Sequence, residues 1–596
     1  MIPSGAVAPL FRRNMLAAAT VVALAILGIR FFQYQILKHD EFQLYAEKNS
    51  IRSIRMPAPR GLLLDRNGQF LVTNRPYYGL AVVPAEVRGS LEQLRGLSRY
   101  IDLTPEEITA RIGAVRGVYE QYQSLLLYDD LSFTQISQIE EHRLEFPGIF
   151  FLDRTIRHYP SRARATHVIG YLRSLSAEDM IKYKDRGYRP GEQIGAVGLE
   201  RYLEDRLRGQ DGYRYHLVDN LLRDLGSLPN KPPQPARPGE AVALAIDINL
   251  QALAEQLFED RRGAMLMMDP GTGEILAYVS APDYVLEPFT GSIPVSLWEQ
   301  WRNNPDKLLL NRPINGLYPP GSTFKLLAAA VAQAYNLIGQ EDTLSCAGRY
   351  FFGDRYFRCN VLAGHGAVNM EQAIAQSCNI YFYQLIQRIG FDRWREIVLL
   401  FGFGEPTGIE VPQESAGLVP SRPYMDRKYA DVGWTAGHML NLVLGQGDIL
   451  VTPLQLARMT AAIANRGYLV RPTLLHRPPG AAPEGRLIEL PDAVWDNLQA
   501  AMYQVVYGFR GTGFRAKVPG GRIYGKTGTA QNPHGDGHSW FTGYIVAPGG
   551  ERAVLTLLVE QGGLGSRLAA SLAATVFDHY LNQYLPRQDQ DLAQVP

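Results

Sequence analysis

Ser322 and Lys325 stand three residues apart, directly after Tyr318-Pro319-Pro320-Gly321. Proline fixes φ and glycine accepts conformations closed to other residues, so the chain turns here. The apolar run Leu326-Leu327-Ala328-Ala329-Ala330-Val331 predicts a buried helix beginning at about Ser322. Spacing of three puts the hydroxyl and the amine on one face of its first turn. A serine attacks a carbonyl only when a base takes its proton and donors meet the charge passed to the substrate. A partly desolvated lysine can do the first, and unpaired N–H groups at a helix N-terminus the second. Alone, the pair is also what a capped, solvated helix start looks like. Two later stretches change the weight: Ser377-Cys378-Asn379 and Lys526-Thr527-Gly528-Thr529. Gly445-Gln446-Gly447, followed by Thr452-Pro453-Leu454-Gln455, is a fourth stretch in the same series.

The rest of the chain must position these groups. Its 596 residues predict three or four compact units. Hydrophobic residues make up 46% and charged ones 20%, as in ordinary folded proteins. A net charge of +1, without a basic–aromatic platform, argues against nucleic acid as a partner. Near the N-terminus, Arg12 and Arg13 precede an uncharged stretch from Met15 to Ile29, then Arg30, Phe31, Phe32 and Tyr34. Counted to Leu37, with Arg30 snorkelling and the aromatics in the interface, it is long enough to span a bilayer. Arg30-Phe31-Phe32 stands where a signal peptide would need small residues, so the segment reads as an uncleaved anchor. Arginines on its short flank keep that flank cytoplasmic and place everything after about residue 38 outside.

After the anchor, Leu62-Leu63-Leu64 reads as a strand ending in an Asn67-Gly68 turn. Thr104-Pro105-Glu106-Glu107 is a capping box with proline at the first helical position, and Ser176 to Asp179 starts another helix. Pro229 to Pro238 looks extended and marks a boundary. From about residue 242 the texture changes. A helix is expected from Asn249 to Phe258, then strands Ala264–Met268 and Ile275–Ser280 joined by the turn Asp269-Pro270-Gly271-Thr272-Gly273. Helices dominate from Ser322 to about residue 510. Strands return at Arg522–Gln531, Ser539–Ala547 and Ala553–Glu560, and Ser566–Tyr584 closes as a helix. Strands from both ends around a helical middle suggest one antiparallel sheet covered by helices beside an all-helical lobe.

S-x-x-K, S-x-N and K-T-G in this order are the signature of class A β-lactamases and penicillin-binding proteins. The surroundings, Tyr-Pro-Pro-Gly-Ser-Thr-Phe-Lys, Ser-Cys-Asn-Ile-Tyr-Phe-Tyr-Gln and Gly-Lys-Thr-Gly-Thr-Ala-Gln, resemble the penicillin-binding transpeptidases more than the lactamases. Arg60-Gly61…Asp65-Arg66-Asn67-Gly68, Arg157-His158-Tyr159-Pro160, His167-Val168-Ile169-Gly170-Tyr171 and Gly198-Leu199-Glu200 resemble the pedestal of class B penicillin-binding proteins. That pedestal is non-catalytic and contacts partner membrane proteins. No glycosyltransferase motif of a class A enzyme is recognisable. The fullest resemblance is to the elongation type, the penicillin-binding protein 2 group. One departure leaves the division type open: the elongation type often has Asp where this chain has Asn379.

The resemblance implies an α/β (α+β) transpeptidase fold, with an antiparallel sheet, covering helices and a helical lobe, behind a mixed α+β pedestal and one transmembrane helix. It divides the chain into a cytoplasmic tail (1–13), anchor (14–37), pedestal (38–241), transpeptidase domain (242–585) and polar tail (586–596). It also implies the roles at the site. Ser322 attacks the penultimate D-Ala of a peptidoglycan stem peptide, and Lys325 takes its proton. Ser377 relays a proton to the leaving amine, Asn379 holds a substrate amide, and Lys526 supplies positive charge. Thr527, Gly528 and Thr529 bind the terminal carboxylate, and the N–H groups of Ser322 and Thr529 form the oxyanion hole. Implied partners are a RodA-type SEDS glycosyltransferase, met through the anchor and pedestal, and β-lactams as inhibitors that acylate Ser322. A pedestal acting mainly to activate the glycosyltransferase, and a β-lactam sensor or hydrolase, are the competing readings. The bulk of the protein would be periplasmic, on the inner membrane.

Cys346, Cys359 and Cys378 are the only cysteines, and His365 lies among them. Three cysteines and a histidine form a closed structural zinc set. A Cys346–Cys359 disulfide with Cys378 left over, as an odd count requires, is the alternative outside the cytoplasm. Elongation-type relatives carry a zinc site of mixed Cys, His and Asp ligands in this region, which favours zinc as a structural cofactor, with none needed for catalysis. His534, Asp536 and His538 invite a second metal reading, but a glycine-rich polar loop over the active site is the simpler account.

Overall fold

The structure, a computed structural model, describes residues 7–38, 51–115, 121, 125–188, 192–218, 224–228, 231–291, 293–478, 480–532 and 535–586. The chain forms two compact units, not the three or four that length predicts. Neither unit is continuous in sequence. One comprises Met1–Arg60, Pro76–Thr155 and Arg208–Gly239, and the other Gly61–Arg75, Ile156–Leu207 and Glu240–Pro596.

The first unit begins with α1 (Val7–Phe32), continued by a wide turn over Gln33–Leu37. The stretch Arg13–Leu37 is 25 residues long with a mean hydropathy of 2.2, apolar enough to cross a membrane, and none of it is buried in the protein. Further on, Ile51–Met56 pairs antiparallel with Gly212–Val218. Leu80, Val82, Leu94, Ile108, Leu127 and Ile139 form a small separate core. The helix Pro105–Gly113 starts at the expected capping box: Thr104 accepts from Glu107 N, and Glu107 reaches back to Thr104 N at 2.8 Å.

The second unit is built on a five-stranded antiparallel sheet. β1 (Gly263–Met268), β2 (Ile275–Ala281), β3 (Arg522–Ala530), β4 (His538–Val546) and β5 (Arg552–Val559) lie in the order β2-β1-β5-β4-β3. Side chains alternate across a strand, so β1 sends Met265 and Met267 to one core, and Leu266 and Met268 to the other. Both faces are covered, which explains the unbroken apolar run of this strand. On one face lie Leu250 and Phe577 from the helices Ile248–Leu257 and Leu568–His579, with Phe258 at the end of the first. The other face merges into the helical lobe, whose α2 (Pro453–Ala464) is buried along its whole length. Thr452-Pro453-Leu454-Gln455 is the capping box of α2, with Gln455 Nε2 also donating to the carbonyls of Glu405 and Ala416.

The segments Gly61–Arg75 and Ile156–Leu207 complete this unit. Leu63–Leu64 pairs in parallel with Val242–Ala243, and Arg157 is buried against Glu200 at 2.8 Å and the Gly61 carbonyl at 2.6 Å. Three antiparallel strand pairs interrupt the region expected to be helical: Leu344–Cys346 with Gly366–Val368, Arg349–Phe352 with Arg355–Arg358, and Tyr468–Val470 with Gly485–Leu487.

Candidate active site

Ser322 does not open an α-helix. Gly321–Phe324 forms a 3₁₀ turn, and the α-helix runs over Lys325–Ala334. The predicted juxtaposition survives, because residues three apart eclipse one another in a 3₁₀ turn. Gly321 is required at its position. Its φ is +59°, and a Cβ there would lie 2.9 Å from the Thr529 carbonyl oxygen. Its N–H donates to the Gly445 carbonyl at 2.9 Å, and a Cβ on Gly445 would come within 2.4 Å of the Gly321 carbonyl oxygen. Gly445-Gln446-Gly447 is thus a backbone bed under the Ser322 turn, and Gln446 Nε2 donates to the Thr529 carbonyl at 3.4 Å. Gly528 lets β3 lie against the same turn, since a Cβ there would meet Thr323 at 3.0 Å.

Ser377-Cys378-Asn379 sits at a junction of two helices. Cys378 N donates to Ala373 O (2.8 Å) and Ser377 N to Ile374 O (3.2 Å), a Schellman end on the helix Met370–Ala375. Ser377 takes the left-handed position of that motif, φ +55°, where glycine is usual. Cys378 then caps the next helix, Asn379–Ile389, accepting from Tyr381 N. The reversal sends Ser377 and Asn379 towards Lys325 and Cys378 the other way.

Lys325 Nζ donates to Ser377 O (2.7 Å), Ser377 Oγ (3.2 Å) and Asn379 Oδ1 (2.7 Å). Lys526 Nζ donates to Ser377 Oγ (3.1 Å) and Thr527 O (3.0 Å). The Ser377 hydroxyl is therefore held between two fully buried amines. Among the described residues neither lysine has a carboxylate partner. Burial pushes Lys325 down to about 8, opposed by the Cys378 and Cys359 sulfurs. Burial, then repulsion from Lys325, holds Lys526 well below its ordinary value. A lysine near neutrality can exchange a proton at working pH. Ser322, in the turn that leads into Lys325, is half-buried.

Thr527 Oγ1 donates to Thr512 Oγ1 at 2.7 Å, and Thr529 Oγ1 accepts from Gly565 N at 3.2 Å. Thr512 and Gly565 escape sequence reasoning. Thr512 also donates through its N–H to the Ala375 carbonyl (3.1 Å), tying β3 to the helix before Ser377. A small residue after a long helix is its only local signal. Gly565 is fixed by a long-range approach: a Cβ there would lie 2.1 Å from the Gly528 carbonyl oxygen.

Behind the pocket, one donor atom each of Cys346, Cys359, His365 and Cys378 lie within 4.8 Å of one another. All three thiols are free, so the Cys346–Cys359 disulfide is not formed. His365 Nδ1 is 3.5 Å from both Cys346 Sγ and Cys359 Sγ, and Cys359 Sγ is 3.9 Å from Cys378 Sγ. Zn–S bonds near 2.3 Å in a tetrahedron give ligand–ligand edges of ~3.8 Å, so the donor set fits zinc. The hydrogen bond shared with Cys378 pulls the Cys359 thiol down. His538 is not in a loop: it opens β4, opposite Ala530, and accepts from Gln561 N at 3.2 Å. Asp536 is exposed beside it, and His534 lies outside the described residues.

Comparison with known proteins agrees with this geometry. The family model for the penicillin binding protein transpeptidase domain matches residues 263–581, and that for the penicillin-binding protein dimerisation domain matches 55–244. Peptidoglycan D,D-transpeptidase MrdA of Haemophilus influenzae is 32% identical, covering 97% of this chain and 94% of that protein. Its namesake in Acinetobacter baumannii is 33% identical over 94% of this chain and 86% of that one. Penicillin-binding protein 2 of Helicobacter pylori, solved in complex with MreC, superposes with a TM-score of 0.79 at 27% identity, covering 90% of this chain and all of that one. For penicillin-binding protein 2 of Pseudomonas aeruginosa, in complex with WCK 5153, the TM-score is 0.68 at 29% identity, covering 89% and 97%. Asn379 in place of Asp does not separate the chain from this group. With both halves matched and the pocket assembled from all three motifs, the chain belongs to the penicillin-binding protein family, in the penicillin-binding protein 2 group.

Proposed function

We propose that this protein is a peptidoglycan D,D-transpeptidase, anchored by Arg13–Leu37 in the inner membrane with its bulk in the periplasm, that cross-links stem peptides during cell-wall elongation. The observation that carries the reading is the Ser377 hydroxyl held 3.2 and 3.1 Å from two buried lysines that have no carboxylate partner among the described residues. Neutral Lys325 takes the Ser322 proton as Oγ attacks the penultimate D-Ala carbonyl. N–H groups of Ser322 and Thr529 receive the oxyanion, a contribution of ~3 kcal/mol per donor. Ser377, supplied by Lys526, passes a proton to the departing D-Ala amine. Asn379 orients the substrate amide, while Thr527, Gly528 and Thr529 face its terminal carboxylate. An amine of a second stem peptide then attacks the ester, forms the cross-link and releases Ser322. β-Lactams acylate the same serine.

The segment division of the sequence reading, with a pedestal over 38–241 and a transpeptidase domain over 242–585, belongs to the proposal. So does a RodA-type SEDS glycosyltransferase as the membrane partner, supported by a solved relative described as a peptidoglycan synthase complex coordinating polymerization and crosslinking. Cys346, Cys359, His365 and Cys378 would hold a structural zinc, which supplies rigidity and no catalytic step. Metal analysis of the purified protein is expected to give one zinc per chain, lost in Cys359→Ser with a lower Tm. For the activity, intact-mass spectrometry with benzylpenicillin is expected to show a stable adduct on Ser322, absent in Ser322→Ala. No adduct, or one gone within seconds, overturns the transpeptidase reading.

A further inference from the structure

The hairpin Arg349–Phe352/Arg355–Arg358 grows out of the cysteine cluster and has two unlike faces. Its register is Arg349↔Arg358, Tyr350↔Phe357, Phe351↔Tyr356 and Phe352↔Arg355. Alternation turns Tyr350 and Phe357 inward onto Tyr383, at ring distances of 6.2 and 5.6 Å. The outer face carries Arg349, Phe351, Tyr356 and Arg358. Phe351 and Tyr356 are 57% and 58% exposed with centroids 5.0 Å apart, and the Arg349 guanidinium lies 5.2 Å from the Tyr356 ring centre.

This face is built against its own stability. Like charges directly opposite each other on paired strands repel, and the Phe351–Tyr356 ring pair leaves its outward faces in water. Among the described residues no carboxylate pairs with Arg349 or Arg358. The hairpin also abuts the catalytic pocket: Asn379 Nδ2 donates to the Arg358 carbonyl at 3.4 Å, and Cys359 N to the Gly348 carbonyl at 2.9 Å. Ring faces suit the apolar faces of sugar rings, and guanidinium forks suit carboxylates.

We propose that this outer face binds the peptidoglycan strand being cross-linked, with Phe351 and Tyr356 against its sugars and Arg349 and Arg358 on its stem-peptide carboxylates. The proposal rests on the transpeptidase reading for its ligand, and charge complementarity selects this occupant. The test uses the full-length protein in detergent micelles, with purified sacculi for binding and benzylpenicillin for acylation. Phe351→Ala/Tyr356→Ala and Arg349→Gln/Arg358→Gln are each expected to weaken sacculus binding about tenfold. Phe351→Tyr, which keeps the ring, should bind like the parent. Penicillin acylation, confined to the pocket, should stay within about twofold in all three. Unchanged sacculus binding in both double variants overturns the proposal. So does an equal loss of acylation, which marks a structural hairpin, or a loss confined to anionic phospholipid vesicles, which marks a membrane contact. A parent protein that binds sacculi through these residues but forms no Ser322 adduct upholds the surface and overturns the enzymatic reading alone.

Discussion

Five long cationic side chains are buried among the described residues of the larger compact unit, and four of them fall into two kinds. Arg157 meets Glu200 at 2.8 Å, and Arg312 meets Glu560 at 2.7 Å. Among the described residues, the hydrogen-bond partners of Lys325 and Lys526 are hydroxyl, amide and carbonyl oxygens. A buried cation with a carboxylate keeps its charge and fixes the fold around it. One without a carboxylate surrenders part of its hold on its proton, and that is what a general base needs. The arginines belong to architecture and the lysines to chemistry, and the surroundings rather than the charge make the difference.

Substitution can break this contrast. Lys325→Met should lower the rate of acylation by benzylpenicillin by about 10²–10⁴, the usual weight of proton transfer. The same change should leave Tm unchanged or raised. A lysine depressed from 10.5 to about 8 destabilises the fold by about 3 kcal/mol below pH 8. That penalty fades as pH rises from 8 to 10.5, where only the unfolded chain still holds the proton. A fall in Tm would erase the distinction between the two kinds. Arg157→Met should do the reverse: destabilise by about 3–5 kcal/mol, because the buried Glu200 loses its guanidinium, with acylation per folded molecule unchanged. Denaturant melts and mass-spectrometric rates decide both.

The pH profile sharpens the contrast further. Acylation should climb about tenfold per unit up to about pH 8 and then level, as Lys325 loses its proton. Lys325→Met should lose that limb. The smallest effect expected is from Thr512→Val, which removes the 2.7 Å contact to Thr527 and should slow acylation about threefold to tenfold.

Much of the site was legible because its signals are local. Ser322, Lys325, Ser377, Asn379 and Lys526 stand in short motifs, and the structure brings the last four into one hydrogen-bonded group with Ser322 at its edge. The sheet strands and the Thr104 and Ser176 capping boxes were also readable, since period-two apolar runs and S/T-x-x-E/D patterns act within a few residues. What was missed depends on distance. The Arg349–Arg358 hairpin is the exception: its two-residue Gly353-Asp354 turn between aromatic runs is a local signal, masked by the helical pattern around it. Thr512 and Gly565 matter only through residues far along the chain. The 3₁₀ turn at Ser322 arises from packing against Thr529 and Gly445, which local propensity does not contain.

The interleaving of the two units has a consequence for biosynthesis. Asp65 Oδ2 accepts from Ile248 N, a contact spanning 183 residues of chain. Residues 61–75 are synthesised early but find their strand partner, Val242–Ala243, only after the whole of the first unit has been made. The smaller unit, with its own core, can close early, while the catalytic unit must await late-arriving sequence. Synthesis therefore completes the smaller unit ahead of a working pocket, and a nascent chain has no full set of site residues until Lys526 to Thr529 have been made.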